Sequence, residues 1–111
     1  MGNQADLVFD ALGEPVRRRI VDLLRDGPRS VGDLARELPV GRPAVSKHLK
    51  VLSAAGLADH TSVGTSNRYS LRPDGLEVAR TWLTYRWDMV LSAYAETARR
   101  ARAVGPEETA E

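Results

Sequence analysis

The chain has no cysteine, which excludes disulfides, thiolate metal sites and thiol redox chemistry at once. Histidine is almost as scarce, with His48 and His60 the only two. A transition-metal site needs several convergent nitrogen, sulfur or carboxylate ligands, so no metal is expected. Long apolar runs are missing too, and no stretch approaches the length of a membrane span. The first residues, Met1-Gly2-Asn3-Gln4-Ala5-Asp6, lack the basic-then-apolar pattern of a secretory signal. A cytoplasmic protein with no membrane partner is expected. There is no glycine loop of the phosphate-cradling kind and no His–carboxylate–nucleophile set that the elements could bring together. Neither an enzyme nor a cofactor is therefore expected. Even charge of one sign is in short supply, with a net charge of +1.

That small net charge hides an uneven distribution. Residues 1–14 carry Asp6, Asp10 and Glu14 and no base. Residues 15–50 hold nine arginines and lysines against four acids, and 51–73 add Arg68 and Arg72 against Asp59. Residues 74–111 return to five bases against seven acids. A basic middle between acidic ends can create a local positive surface on a nearly neutral protein.

At 111 residues, with 42% hydrophobic and 28% charged residues, one domain is expected, spanning residues 1–103. Leu7, Val8, Ala11 and Leu12 recur at helical spacing and predict a short helix over 6–12. Gly13-Glu14-Pro15 breaks it and opens a second helix over about 15–25, with proline in the first turn where its missing N–H does no harm. Ser30-Val31-Gly32-Asp33 has the form of a capping box, opening a third helix with Val31, Leu34, Ala35 and Leu38 on one face. After the tight turn Pro39-Val40-Gly41 a fourth helix runs over about 42–55. Two strands, 57–62 and 67–71, are joined across Val63-Gly64-Thr65-Ser66. Pro73-Asp74 starts a long helix to about Ala103, and 104–111 reads as a disordered acidic tail. The fold class is mainly α with a β-hairpin wing, in the order α-α-α-α-β-β-α.

Two short helices joined by a glycine-containing turn have the form of a helix-turn-helix, and the hairpin that follows would be its wing. On the fourth helix Val45, Leu49 and Leu52 make a narrow apolar stripe, while Pro43, Ser46, Lys47 and Lys50 lie opposite, with Arg42 at the N-terminal lip. No Asp or Glu occurs between Glu37 and Asp59. A short-chained, basic, acid-free face suits entry into the major groove of double-stranded DNA. There Arg42 and Ser46 can reach base edges, and Lys47 and Lys50 can meet phosphates. An ordinary solvated helix would more often mix acids with bases to gain i,i+4 pairs.

The stretch ALGEPVRRRIVDLLRDGPRSVGDLARELPVGRPAVSKHLKVLSAAGL, followed by GTSNRYSL, resembles the ArsR/SmtB family of winged helix-turn-helix repressors over roughly residues 5–95. The segment Arg42-Pro43-Ala44-Val45-Ser46-Lys47-His48-Leu49-Lys50-Val51-Leu52 is especially characteristic. The resemblance implies a homodimeric repressor that binds an inverted-repeat operator and releases it on a signal. It implies that 42–55 is the recognition helix and 57–71 the wing. Two departures stand out. Gly41 occupies a position where many relatives carry a serine or threonine cap. The wing tip, Val63-Gly64-Thr65-Ser66-Asn67, carries no charge, which leaves Arg68 and His60 to supply wing contacts with DNA. Metal-sensing members use cysteines in or near the third helix, or a His/Asp/Glu set on the last one. Here Leu38-Pro39-Val40 stands at the first place and no histidine follows His60. The resemblance is thus to the metal-independent, cysteine-free branch, with any small-molecule effector unidentified. His48 falls at the edge of the core and reads as a packing residue. A winged helix used only for protein–protein contact is the alternative to DNA binding, and activation is the alternative to repression.

The last helix has two apolar faces. Leu83, Trp87, Val90 and Tyr94 lie on one, at the 3–4 spacing of a helix–helix seam; Trp82, Tyr85 and Met89 lie on the other. One stripe is the norm for a surface helix, so two stripes call for two partners, namely the chain's own domain and a second subunit. A ligand pocket lined by Trp82, Tyr85 and Trp87 is the other use for such a surface. Leu7, Val8 and Leu12 of the first helix are expected to join Leu83, Trp87, Val90 and Tyr94 at the dimer interface.

Overall fold

A computed structural model describes residues 3–109, with side chains through residue 103. In chain order the elements are α1 (Gln4–Leu12), α2 (Pro15–Leu24), β1 (Arg29–Ser30), α3 (Val31–Glu37), α4 (Arg42–Ala54), β2 (Ala58–Val63), β3 (Ser66–Leu71) and α5 (Pro73–Thr109). Helix α1 starts two residues earlier than its apolar pattern suggests, because the Asn3 side chain accepts the Asp6 N–H at 3.0 Å and caps it. Its other end is closed by α2: Arg17 Nε donates to the Ala11 carbonyl at 2.7 Å and an Arg18 Nη donates to that of Leu12, also at 2.7 Å. Two guanidinium groups thus meet carbonyls that a helix C-terminus leaves unpaired, at its negative end.

The strands form one antiparallel sheet in the order β1-β3-β2. The expected hairpin is present, with Val63 opposite Ser66, so its loop is only the two residues Gly64 and Thr65. Gly64 has φ +62° while among the described residues no non-glycine has positive φ, the pattern of a type II′ turn, whose first central position favours glycine. The third strand, β1, was not legible in the sequence. Its two residues pair Arg29 with Tyr69 and Ser30 with Arg68, and Arg29 Nε donates to the Leu23 carbonyl at the end of α2 (3.1 Å).

Contacts divide the chain into two compact units, Met1–Ala79 and Arg80–Glu111. The first closes around Ile20, Leu34, Val45, Leu49, Leu52 and Leu57, all fully buried. At about 1.5–3 kcal/mol for each large side chain removed from water, these dominate its stability. Ala5, Val8 and Ala11 of α1 belong to the same core. Val8 is therefore corrected as an interface residue: at 0% exposure it has no surface left for a partner. The i, i+3, i+6 positions of α1 face inward, Leu7 stays exposed, and Leu12 is half-buried against the core. The second unit is helical from Arg80. It continues through Thr109, past the expected end at Ala103. A polar composition argues against a packed core but not against extending a helix already nucleated. Residues 110–111 lie outside the described residues.

The capping box of α3 forms as its sequence suggests. Ser30 Oγ accepts the Asp33 N–H at 3.1 Å, and Asp33 Oδ2 accepts the Ser30 N–H at 3.3 Å. These two bonds to Ser30, aided by the charges of Arg36 and Arg68, hold the Asp33 carboxyl below its ordinary pKa against a smaller opposing effect of burial. A depressed carboxylate pKa adds stability above the unfolded-state value and loses it as pH falls through the folded one. The Asp33 carboxyl resonance should accordingly titrate below the usual range near pH 4, and should move back toward it in Ser30→Ala. The same variant should lose about 1 kcal/mol of stability in urea denaturation at neutral pH. An unshifted titration or an unchanged midpoint would contradict the cap.

Candidate nucleic-acid interface

Helices α3 and α4, with the turn 38–41 between them, make the helix-turn-helix. Val45, Leu49 and Leu52 are completely buried, which fixes the rotation of α4 about its axis. Arg42, Pro43, Lys47 and Lys50 are then exposed on the far side, and Ser46 is half-buried beside them. No carboxylate lies on α4, and among the described residues Arg42, Lys47 and Lys50 have no hydrogen bond or ion pair. The predicted face is assembled as one surface. Gly41 supplies no side-chain cap at the start of α4, as its residue type dictates.

His48 is half-buried and its Nδ1 lies 3.3 Å from a terminal nitrogen of Arg17. A guanidinium only donates, so Nδ1 accepts and the ring proton belongs on Nε2. The same Arg17 binds the Ala11 carbonyl through Nε and reaches that of Asp10 at 3.3 Å. One side chain of α2 therefore joins the end of α1 to the back of α4. Sequence reasoning placed His48 at the core edge but gave no role to Arg17, whose partners lie six and thirty-one residues away.

The wing is thin, with residues 59–63 and 66–68 exposed. His60 and Tyr69 are cross-strand partners with ring centroids 5.2 Å apart, so one face of the imidazole is engaged within the sheet. Arg68 is exposed opposite Thr61. At the tip Ser62 Oγ donates to Asn67 Oδ1 at 3.0 Å. Between the wing and α3 runs a polar cleft of about 320 Å³, bordered by Ser30–Gly32, Arg36, Arg42, Ser66 and Asn67. Of these only Arg42 was anticipated as a site residue. The pairing of Ser30 with Arg68 is what carries Ser66 and Asn67 alongside α3, and no local pattern announces it.

A helix-turn-helix whose outward face is basic and acid-free, with a β wing beside it, is a nucleic-acid-binding arrangement. The helix-turn-helix domain family matches residues 12–61. The chain is 48% identical to the HTH-type transcriptional regulator Rv2034 of Mycobacterium tuberculosis over 82% of this chain and 85% of that protein. It is 34% identical to the transcriptional repressor SdpR of Bacillus subtilis over 68% and 84% of the two. Among solved structures it is similar to the homodimeric winged helix-turn-helix DNA-binding domain of Mb0332 from Mycobacterium bovis, a candidate ArsR-family regulator. That likeness has a TM-score of 0.61 at 29% identity, over 84% of this chain and 82% of that one.

The chain belongs to the ArsR/SmtB family of winged helix-turn-helix transcriptional regulators. An ArsR/SmtB member is a DNA-binding regulator and not an enzyme, and the element order here is that of the winged fold. Among the described residues no helix is long and apolar enough to cross a membrane.

In this ArsR/SmtB chain the Arg17 junction is open to direct test. Arg17→Ala should lower stability by about 1.5–3 kcal/mol, the range for hydrogen bonds from a charged donor. Arg17→Lys should recover only part of it, because an ammonium cannot span the Ala11 and Asp10 carbonyls and His48 in one planar fork. Chemical denaturation of the three proteins decides it, and full rescue by lysine would show that charge alone matters.

Proposed function

We propose that this protein is a homodimeric repressor that binds an inverted-repeat operator by inserting one α4 helix into the major groove of each half-site. The observation that carries the reading is the face of α4, where Arg42, Lys47 and Lys50 are exposed without an acid partner among the described residues, while the opposite stripe is locked into the core. Ser46 stands between them, short enough for the helix backbone to approach base edges. Lys47 and Lys50 supply phosphate contacts, and Arg68 with the outer edge of His60 meets the DNA backbone beside the groove. A dimer that covers a promoter in this way excludes other proteins from it, and the relative SdpR is itself named a repressor.

Phosphate contacts position a protein on all sequences, whereas base contacts discriminate among them at about 1–3 kcal/mol each. Lys47→Ala and Lys50→Ala should therefore weaken binding to operator and scrambled duplexes alike and flatten the dependence of affinity on salt. Ser46→Ala should narrow the gap between the two duplexes. Fluorescence anisotropy over a series of salt concentrations separates these effects, and unchanged affinity in all three variants would remove α4 as the recognition helix.

The second copy is supported by α5. From Arg80 onward Leu83, Trp87, Val90 and Tyr94 are exposed along one face, Trp87 by 62% and Tyr94 by 71%, and Trp82, Tyr85 and Met89 along another. Contiguous apolar surface of this kind marks an interaction site, and the structural relative Mb0332 is a homodimer. Exposed Leu7 and half-buried Leu12 extend the list of interface residues. A two-fold dimer sets its recognition helices about 34 Å apart, one turn of DNA. The wild-type protein should sediment as a dimer at tens of micromolar without DNA. Val90→Glu or Leu83→Glu should give a folded monomer by sedimentation and circular dichroism, since a charge there would be buried unpaired in the pair. If Trp82→Glu splits the dimer and Val90→Glu does not, the other face of α5 is the seam. A monomeric wild type would end the dimer proposal.

A further inference from the structure

Gly32 lies in the first turn of α3 and is half-buried. Among the described residues the glycines with positive φ are Gly27, Gly56 and Gly64. Gly32 is not among them, so its backbone conformation is open to any residue. Alanine there would be the better helix former, and the local fold gives no reason for glycine. The reason lies across the cleft. A Cβ on Gly32 would stand 2.9 Å from a terminal nitrogen of Arg42 and 3.2 Å from its Cζ. Those atoms are the far end of a flexible side chain, so an added methyl would displace the guanidinium and leave both backbones where they are.

What that guanidinium does in this place is set by its surroundings. It borders the polar cleft together with Arg36, Ser66 and Asn67. Arg36 is already ion-paired to Asp33, whereas Arg42 has no partner among the described residues. The cleft thus presents an unpaired cation, a hydroxyl and an amide from two separate elements, a donor set suited to a phosphodiester oxygen. The outward face of α4, by contrast, already carries Ser46, Lys47 and Lys50.

We propose that Gly32 is a positioning residue that seats the Arg42 guanidinium in this cleft, where Arg42, with Ser66 and Asn67 of the wing, takes one phosphate of the DNA backbone. Arg42 then positions the protein on DNA instead of reading a base edge, the role its place at the lip of α4 suggests from sequence. The inference rests on the DNA-binding reading above.

The test compares wild type, Gly32→Ala, Arg42→Ala and the double variant on an operator duplex and a scrambled duplex of equal length, across a range of salt. Gly32→Ala should melt at or above the wild-type temperature, yet bind both duplexes several-fold more weakly. Its salt slope should be smaller by up to about one unit, the signature of one lost phosphate contact. Arg42→Ala should show the same loss, and the double variant should be no weaker than Arg42→Ala alone. Wild-type affinity and slope in Gly32→Ala, or additive losses in the double variant, would overturn the proposal while leaving DNA binding intact. A loss confined to the operator duplex would also overturn it, by returning Arg42 to base reading. Should Lys47→Ala, Lys50→Ala and Arg42→Ala all bind like wild type, the DNA-binding reading fails and this one with it.

Discussion

The burial of Val45, Leu49 and Leu52 is the constraint on which the rest of the molecule depends. A helix repeats every 3.6 residues, so these three side chains share a stripe that only one rotation of α4 can bury. Any other rotation would expose three large apolar groups, at about 1.5–3 kcal/mol each, and press lysines toward the core. Holding α4 by its apolar stripe is therefore the same act as presenting Arg42, Lys47 and Lys50 to solvent. That basic face needs no separate device to orient it.

Around that helix, polar contacts join elements that packing alone would leave loosely connected. Arg17 bonds carbonyls in the last turn of α1 and touches His48 on α4, so the first helix is part of the support for α4. Its inward residues, Ala5, Val8 and Ala11, deepen the same core. On the other side Asp33 closes the cap of α3, pairs with Arg36 and is near enough to Arg68 to feel its charge. One carboxylate in a basic neighbourhood thereby links the start of the helix-turn-helix to the wing.

The division between the two units has a functional sense. The first, through Ala79, holds everything the DNA-binding reading requires. The second, from Arg80, carries the large exposed aromatic and aliphatic residues that a partner copy would cover. The basic face of α4 and the exposed apolar faces of α5 thus occupy different stretches of chain.

Local order was legible wherever cause and effect lie within one or two helical turns. The Ser30–Asp33 cap, the uncapped Gly41, the apolar stripe of α4 and its acid-free opposite face all follow from spacing and residue type, and the family motif is carried by that same contiguous segment. Tertiary structure decided what depends on partners distant in sequence. Val8 and Leu7 are both aliphatic neighbours, and only the packing of α1 against α2 and α4 sends one inward and leaves the other exposed. Two residues cannot declare themselves a strand, so β1 exists because β3, nearly forty residues later, offers it a register. Gly32 reads as an indifferent helix residue until Arg42 is brought against it. Periodicity and capping are properties of a segment and can be read from it, whereas which surfaces meet is a property of the closed core.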